Sequence, residues 1–384
     1  MENWQQAGFG IYVHWPFCAA KCPYCDFNSH VATAIDSARW QDAYLADLDR
    51  WAGRLPDRVV ASVFFGGGTP SLMDPAVTAA ILDRIRTRWT VANDLEVTLE
   101  ANPTSVEAAR FADFVGAGVT RFSVGLQSLR DPDLKALGRL HSAAEGRHAY
   151  DIARAACDRV SFDLIYARQG QDAAAWRTEL GEALALEPTH LSLYQLTVEP
   201  GTAFGDRAAA GRLRGLPDED LAVDLWQITQ EMTASAGLPR YETSNHSASG
   251  AESRHNLIYW RGGDWLGIGP GAHGRVGIGP DRLATTAPPL PRDWLSRTGI
   301  DPEEALPRPE IVDEYVLSAL RLTEGIDLDR LHRLGGSFDA TTVANLAADN
   351  FVIQQDGRLR TTETGALLLN RVVGALLSGT LPGQ

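Results

Sequence analysis

Over its first two-thirds the chain alternates short apolar runs, rich in β-branched and aromatic residues, with longer stretches in which apolar positions recur every three or four residues. The short runs, at residues 11–14, 59–65, 95–100, 121–125, 160–166 and 191–198, predict strands. The longer stretches, at 37–51, 75–89, 106–115 and 172–186, predict helices. Strands alternating with helices make βαβ units and a parallel sheet. Six such units suit a partial barrel, while periodicity alone leaves a full eightfold barrel or a doubly wound sheet open. The polar residues that interrupt this pattern fall at strand ends. Glu100 closes its run, three glycines follow Phe65, Gln127 follows Gly125, and Asp163 lies near the end of its own run. In parallel α/β folds that edge of the sheet carries the chemistry.

The pattern changes after about residue 275. A Pro-rich stretch at 286–309 reads as a linker or surface loop. Beyond it come helical patterns at 311–322, 328–334 and 340–349, two short strand-like runs around Asp356-Gly357, and a last helix at 363–377. The expected organisation is a barrel over residues 1–285, a linker over 286–309, and a small winged-helix-like domain over 310–384 that covers the barrel.

Bulk composition narrows the function. With 44% hydrophobic and 22% charged residues in 384, the chain has an ordinary globular make-up and length enough for a real core. Its net charge of −14 disfavours nucleic acid, which requires a basic footprint. No window reaches the roughly 18 consecutive apolar residues of a membrane span, and the first ten residues lack the marks of a signal peptide. A cytoplasmic protein is expected.

The four cysteines carry the strongest signal, because three lie in one short loop: Cys18-Ala-Ala-Lys-Cys22-Pro-Tyr-Cys25. Three thiolates at C-x3-C-x2-C spacing can grip three corners of a cubane iron–sulfur cluster and leave the fourth iron without a protein ligand. Ferredoxins supply a fourth cysteine for that iron. Here the only other one, Cys157, lies far along the chain in a helical pattern and reads as a core residue. The open iron would act as a Lewis acid able to chelate an amine and a carboxylate. Pro16 and Pro23 keep the loop non-helical. Structural zinc, with His14 or His30 completing the site, is the alternative, as are three buried cysteines with no cofactor.

The loop resembles the signature of the radical S-adenosylmethionine (SAM) superfamily. Its Tyr-Val-His-x-Pro-Phe-Cys approach and Cys-x-Tyr-Cys-Asp-Phe exit resemble the coproporphyrinogen-dehydrogenase-like branch. The likeness extends over essentially the whole chain. It implies a partial (β/α)6 barrel in which Cys18, Cys22 and Cys25 hold a [4Fe–4S] cluster. It further implies that Gly67, Gly68 and Thr69 of Gly66-Gly-Gly-Thr-Pro70, with Glu100, Gln127, Arg139 and Asp163, form the SAM pocket, flanked by Tyr12 and Tyr24. One segment departs from the family pattern. After Asp163-Leu-Ile-Tyr166 the family continues Gly-Leu-Pro-Gly-Gln-Thr, whereas this chain reads Ala167-Arg-Gln-Gly-Gln-Asp172.

Within the branch two functions compete: an oxygen-independent coproporphyrinogen III oxidase, which decarboxylates two propionates, and a haem-binding chaperone. The oxidases resemble C-x3-C-x2-C-x-C, and Phe27 stands where their fourth cysteine falls. They also carry an N-terminal arm of several dozen residues, whereas here the first ligand is already residue 18. Arg254-His255-Asn-Leu-Ile-Tyr-Trp260 contains His-Asn-x-x-Tyr-Trp, which resembles the haem-associated motif of the chaperone branch. That likeness implies His255 as haem ligand, with His246, His273 and Tyr259 as alternates and Tyr259 and Trp260 against a porphyrin face. The Gly267-Ile-Gly-Pro-Gly-Ala-His273-Gly stretch matches a family loop on the substrate side of the barrel. The chaperone is the expected function. Its partners would be haem and acceptor haemoproteins, membrane-associated ones included, with a cluster-linked homodimer as the family's oligomeric option. A radical SAM enzyme acting on transfer RNA is disfavoured by the acidic balance.

Overall fold

The computed structural model describes residues 4–32, 34–297 and 302–378, together with the backbone of 380–382. Its main sheet runs through strands β1 (Phe9–Trp15), β2 (Val59–Gly67), β3 (Thr90–Ala101), β4 (Arg121–Gln127), β5 (Val160–Tyr166), β6 (His190–Gln195), β7 (Asn245–Ser247), β8 (Asp264–Ile268), β9 (His273–Ile278), β10 (Asp281–Thr286) and β11 (Glu303–Ala305). The spatial order is β11-β10-β9-β8-β1-β2-β3-β4-β5-β6-β7. From β8 through β6 every pairing is parallel, and only the two edges turn antiparallel. The α/β, partial (β/α)6 barrel is therefore what forms.

Sequence explains why the sheet is buried on both faces. In β1 the residues Phe9, Ile11, Val13 and Trp15 point outward under helices, while Gly10, Tyr12 and His14 point into the barrel. The barrel interior is unusually polar: Ser62, Glu96, Thr98, Arg121, Ser161, His190 and Ser192 are all buried. They satisfy one another in part, as with Arg121 and Ser161 at 2.9 Å. The outer helices start on side-chain caps. Asp36 accepts from the Arg39 amide at Ser37–Ala52, Asp74 precedes Pro75 at Pro75–Arg88, and Ser142 and Glu145 form a capping box at Ala143–Ala156.

Several elements differ from their sequence prediction. The helix expected at 106–115 is broken into Ser105–Ala108 and Phe111–Ala117. The strand expected at 191–198 stops at Gln195. The Pro-rich stretch 286–309 is no bare linker. It holds a helix, Pro291–Ser296, that buries Trp294 against Trp40 and Tyr44, and β11, which pairs with β10. Proline starts that helix at its first position, where no amide is needed.

The last part of the chain has its own apolar core around Val316, Leu331, Leu359 and Leu376. A small antiparallel sheet, ordered Ile326–Asp327, Arg358–Thr361, Val352–Gln355, packs with the helices Arg308–Ala319, Leu328–Leu334 and Ala340–Ala348. Ion pairs fasten it to the barrel: Arg275 to Glu314 at 2.7 Å and Arg261 to Glu324 at 2.8 Å.

Candidate functional site

The cysteine loop leaves the C-terminal end of β1 and is closed by a short parallel pairing of Phe17–Cys18 with His30–Val31. It is held against the end of β2 by backbone. The Gly68 amide donates to the Trp15 carbonyl at 2.6 Å and the Thr69 amide to the Phe17 carbonyl at 2.8 Å. Such an approach requires glycine. A Cβ on Gly68 would sit 2.6 Å from the Phe17 carbonyl oxygen, and Gly67 has φ +108° with the His14 ring 2.5 Å from where its Cβ would be.

One cavity of about 530 Å³ opens at this end of the barrel. Cys18, Cys22, Cys25, Tyr24, Gly67, Gly68, Thr69, Glu100, Gln127, Arg139 and Asp163 all line it. Eleven of the thirteen residues singled out in the sequence thus meet in one place. The Thr69 hydroxyl donates to the Cys18 sulfur at 3.4 Å, and Arg139 Nη1 to the Cys22 sulfur at 3.6 Å. Burial pushes the Cys18 and Cys25 thiols up, against the hydrogen bonds of Thr69 and Ser29 to Cys18 and of the Phe27 backbone to Cys25. His14 is not available to complete a zinc site, because its Nδ1 meets the Tyr12 hydroxyl at 3.0 Å and its Nε2 the Asn28 carbonyl at 2.9 Å. His30 Nε2 is held by the Asn28 side chain at 3.2 Å. Among the described residues, no three His, Cys, Asp or Glu side chains gather closely enough to hold a single ion.

Two carboxyl groups face the cavity from β3 and β5, on either side of β4. Burial, and then the charge of Asp163, push Glu100 up to about 8; burial pushes Asp163 up to about 6. Glu100 accepts the Gly67 amide at 3.3 Å, and Asp163 accepts the Ser123 hydroxyl at 3.1 Å and is also bonded by Ser192. Opposite them, Arg139 Nε is buried without an acceptor. Two buried carboxyls that a cation would draw into the ionised form, and a buried donor in want of an acceptor, suit a ligand that carries both a cation and acceptor oxygens. Gln127 reaches the same space through a β-bulge, at φ +65°, a conformation that costs a non-glycine residue energy and re-aims its side chain. Gly125 makes room for it, since a Cβ there would lie 2.8 Å from Gln127 Nε2.

Two of the expected residues lie off the cavity wall. Tyr12 does not line the cavity. It is half-buried inside the barrel, its ring stacked 6.2 Å from Phe64 and beside Glu100 at Gly66. His255 lies further down, at the N-terminal ends of the strands. Its ring is wedged among Gly10, Ser62 and Phe64, with Nδ1 2.9 Å from the Ser62 hydroxyl and the residue only 9% exposed. Burial lowers its pKa to about 4, so it is a neutral core imidazole. The helix Arg254–Trp260 turns it inward and leaves Tyr259, 40% exposed, on its outer side. Of the alternates, His246 is buried in β7, and His273 is exposed at the start of β9.

The departure at 167–172 is also explained. Ala167 takes φ +57°, where the family's glycine would sit without strain. Arg168, in place of leucine, is buried and pairs with Glu179 and with Asp133 at 2.7 Å. Asp163 is unaffected. Asn102 and Ser123 also line the cavity and were not singled out. Asn102 had a signal, since Pro103 fixes it in extended backbone at a strand end; Ser123 had none beyond its place one strand turn below Gly125.

Known proteins give the same reading. The model of the radical SAM superfamily matches residues 12–177, and that of the HemN C-terminal domain residues 306–368. The heme chaperone HemW of Escherichia coli (strain K12) is 38% identical over 317 residues, covering 82% of each chain. Heme chaperone HemW of Mycobacterium tuberculosis (strain H37Rv) is 36% identical over 379 residues, 96% of this chain and 95% of that one. A Danio rerio protein, radical S-adenosyl methionine domain-containing protein 1, mitochondrial, is 33% identical over 386 residues, 96% of this chain and 86% of its own. Among solved structures, coproporphyrinogen III oxidase (HemN) from Escherichia coli superposes with a TM-score of 0.80 over 96% of this chain and 90% of that one; at 20% identity this is a likeness of fold. With full-length relatives at this level of identity and its cysteine loop, glycine turn and strand-end carboxylates gathered on one cavity, the chain belongs to the radical SAM superfamily and, within it, to the heme chaperone HemW family.

Proposed function

We propose that this chain is a haem-binding chaperone. In this reading Cys18, Cys22 and Cys25 hold a [4Fe–4S] cluster, SAM lies on its open iron in the cavity, and haem bound elsewhere on the molecule is passed to acceptor haemoproteins. The observation that carries the cofactor assignment is the convergence of three thiols and two under-solvated carboxylates on one cavity. SAM would supply cationic groups to Glu100 and Asp163 and acceptor oxygens to Arg139, the residues that would hold it. The glycines at 67 and 68 leave main chain bare beside it. When bound, the cluster supplies one-electron chemistry at the sulfonium C–S bond. The protein's own part is to orient the ligand and keep water out.

The family supports haem rather than porphyrinogen as the bound tetrapyrrole, and so does Phe27. Its apolar ring, 56% exposed at the cavity mouth, stands where the oxidases place a fourth thiol. Haem contact is assigned to the outer side of the helix Arg254–Trp260. There Tyr259 meets Trp260 and Trp265, each with ring centroids 4.7 Å away, and offers a porphyrin face an aromatic surface that the enclosed His255 does not. The test is an anaerobically reconstituted sample. It is expected to hold about four irons per chain, to show a reduced-cluster signal that changes when SAM is added, and to bind haem. A zinc-loaded protein, or a cluster whose signal ignores SAM, would refute the assignment.

A further inference from the structure

The wall of the cavity beside the cysteine loop contains a hydrogen-bond chain whose middle member is Asn102. Its carboxamide oxygen accepts from Arg139 Nη2 at 2.6 Å, and its amide nitrogen donates to the Thr69 hydroxyl oxygen at 3.0 Å. Thr69 in turn donates to the Cys18 sulfur at 3.4 Å, while the other end of Arg139 donates to the Cys22 sulfur at 3.6 Å. The direction of this chain is fixed by chemistry. A guanidinium can only donate, so the Asn102 oxygen must face Arg139 and its NH₂ must face Thr69. The Thr69 oxygen is then occupied as an acceptor, and its proton is left for sulfur. A cation heads the chain, and a thiol ends each branch.

Asn102 is itself held in place. Pro103 keeps it extended, and its backbone amide lies 3.4 Å from the Ser71 hydroxyl and 3.3 Å from a Glu107 carboxylate oxygen. Ser71 and Glu107 are buried and bonded to each other. Arg139 is fixed independently by the Gly125 carbonyl at 3.0 Å. The carboxamide thus bridges the first cysteine of the loop to the second through groups that are already positioned by the end of β3 and the end of β4.

We infer that Asn102 is a positioning residue for the cluster: through Thr69 and Arg139 it aims one hydrogen bond at the Cys18 sulfur and another at the Cys22 sulfur, and so raises the cluster's reduction potential. The inference rests on the reading that these cysteines hold the cluster. Donors aimed at ligand sulfurs stabilise the more negative, reduced state, and hydrogen bonding to sulfur is one of the levers that set such potentials. Linked donors also polarise one another, so the middle member matters although it touches no sulfur.

The experiment is a redox titration of the reconstituted full-length protein, followed by the reduced-cluster signal, for the wild type, Asn102→Ala, Thr69→Val and the double variant. Iron content and melting temperature are measured alongside. Asn102→Ala is expected to keep its iron and fold, and to lose about tenfold in the ratio of reduced to oxidised cluster at a fixed potential, a shift of about 59 mV downward for one electron. In the Thr69→Val background the same change should shift the potential less, because part of its path is already gone. An iron-replete Asn102→Ala protein with the wild-type potential would overturn the inference and leave the cluster reading standing. A wild type that takes up no cluster would overturn both. If Asn102→Ala does not hold iron, Asn102→Asp decides. It keeps the shape and the acceptor for Arg139 but loses the donor to Thr69, and an unchanged potential there overturns the inference.

Discussion

Glu100 shows how much of the site rests on single groups. Its carboxyl stays protonated up to about 8 in the fold, against the ordinary 4.5. The folded cluster-free protein therefore holds a proton that the unfolded chain has released, and stability falls as pH rises from about 4.5 to about 8. Asp163, raised to about 6, adds to the lower part of that window. The expected outcome is a melting temperature that declines across this range, with a smaller decline in Glu100→Gln; equal declines would show that Glu100 is not the source. A cationic ligand reverses the balance, so SAM affinity should rise with pH over the same range in the wild type and rise less in Glu100→Gln. Ala167 makes a second prediction. Its left-handed backbone costs an alanine about 1 kcal/mol that glycine does not pay, so Ala167→Gly should raise stability by up to about 1 kcal/mol in a denaturant titration. The cysteine loop was legible from its own spacing, while Gly67, Glu100, Gln127, Arg139 and Asp163 were legible only through the resemblance to a known family, since each alone reads as structural. Where Tyr12 and His255 point was not legible. Tyr12 sits on a predicted strand, whereas the helix Arg254–Trp260 that carries His255 was not predicted, and the orientation of both depends on packing against Phe64 and Ser62.

At the level of elements, the proposal gives separate tasks to the turn after β2 and to the helix Arg254–Trp260. The β2 turn supports the cysteine loop only because residue 68 has no side chain. Gly68→Ala would place a Cβ against three backbone atoms of Phe17, its carbonyl oxygen, carbonyl carbon and amide nitrogen, at 2.6, 2.9 and 3.0 Å. The expected result is a folded protein whose iron-to-protein ratio is cut severalfold after reconstitution. Full iron loading would show that the loop adjusts. The helix Arg254–Trp260 faces two ways, His255 in and Tyr259 out. The paired change Tyr259→Ala and Trp260→Ala should weaken haem binding at least tenfold in a spectroscopic titration while leaving iron content intact. The predicted strands and most outer helices match the structure because period-two and period-3.6 patterns are local signals. The helix at Pro291–Ser296 and β11 were hidden, since prolines that start a helix and a three-residue edge strand leave no periodic trace. The break within 106–115 comes from capping at Thr104 and from the tie of Glu107 to Ser71, a contact made through the fold.

On the scale of the whole molecule, the parallel barrel separates two ends. The cysteine loop, glycine turn and carboxylates occupy the C-terminal ends of the strands, and the helix of the His-Asn-x-x-Tyr-Trp motif closes the N-terminal ends. The C-terminal unit is fastened near that second end by Arg261 and Glu324. On the proposed reading, cluster chemistry and haem contact would lie at opposite ends of the barrel, an arrangement that suits a carrier. Among the described residues no helix is long and apolar enough to cross a membrane. The measurement that bears most directly on this account uses one anaerobic sample, assayed for iron, bound haem and 5′-deoxyadenosine with and without coproporphyrinogen. The account predicts cluster iron and stoichiometric haem with no porphyrinogen decarboxylated. Steady conversion of coproporphyrinogen to protoporphyrinogen would contradict it.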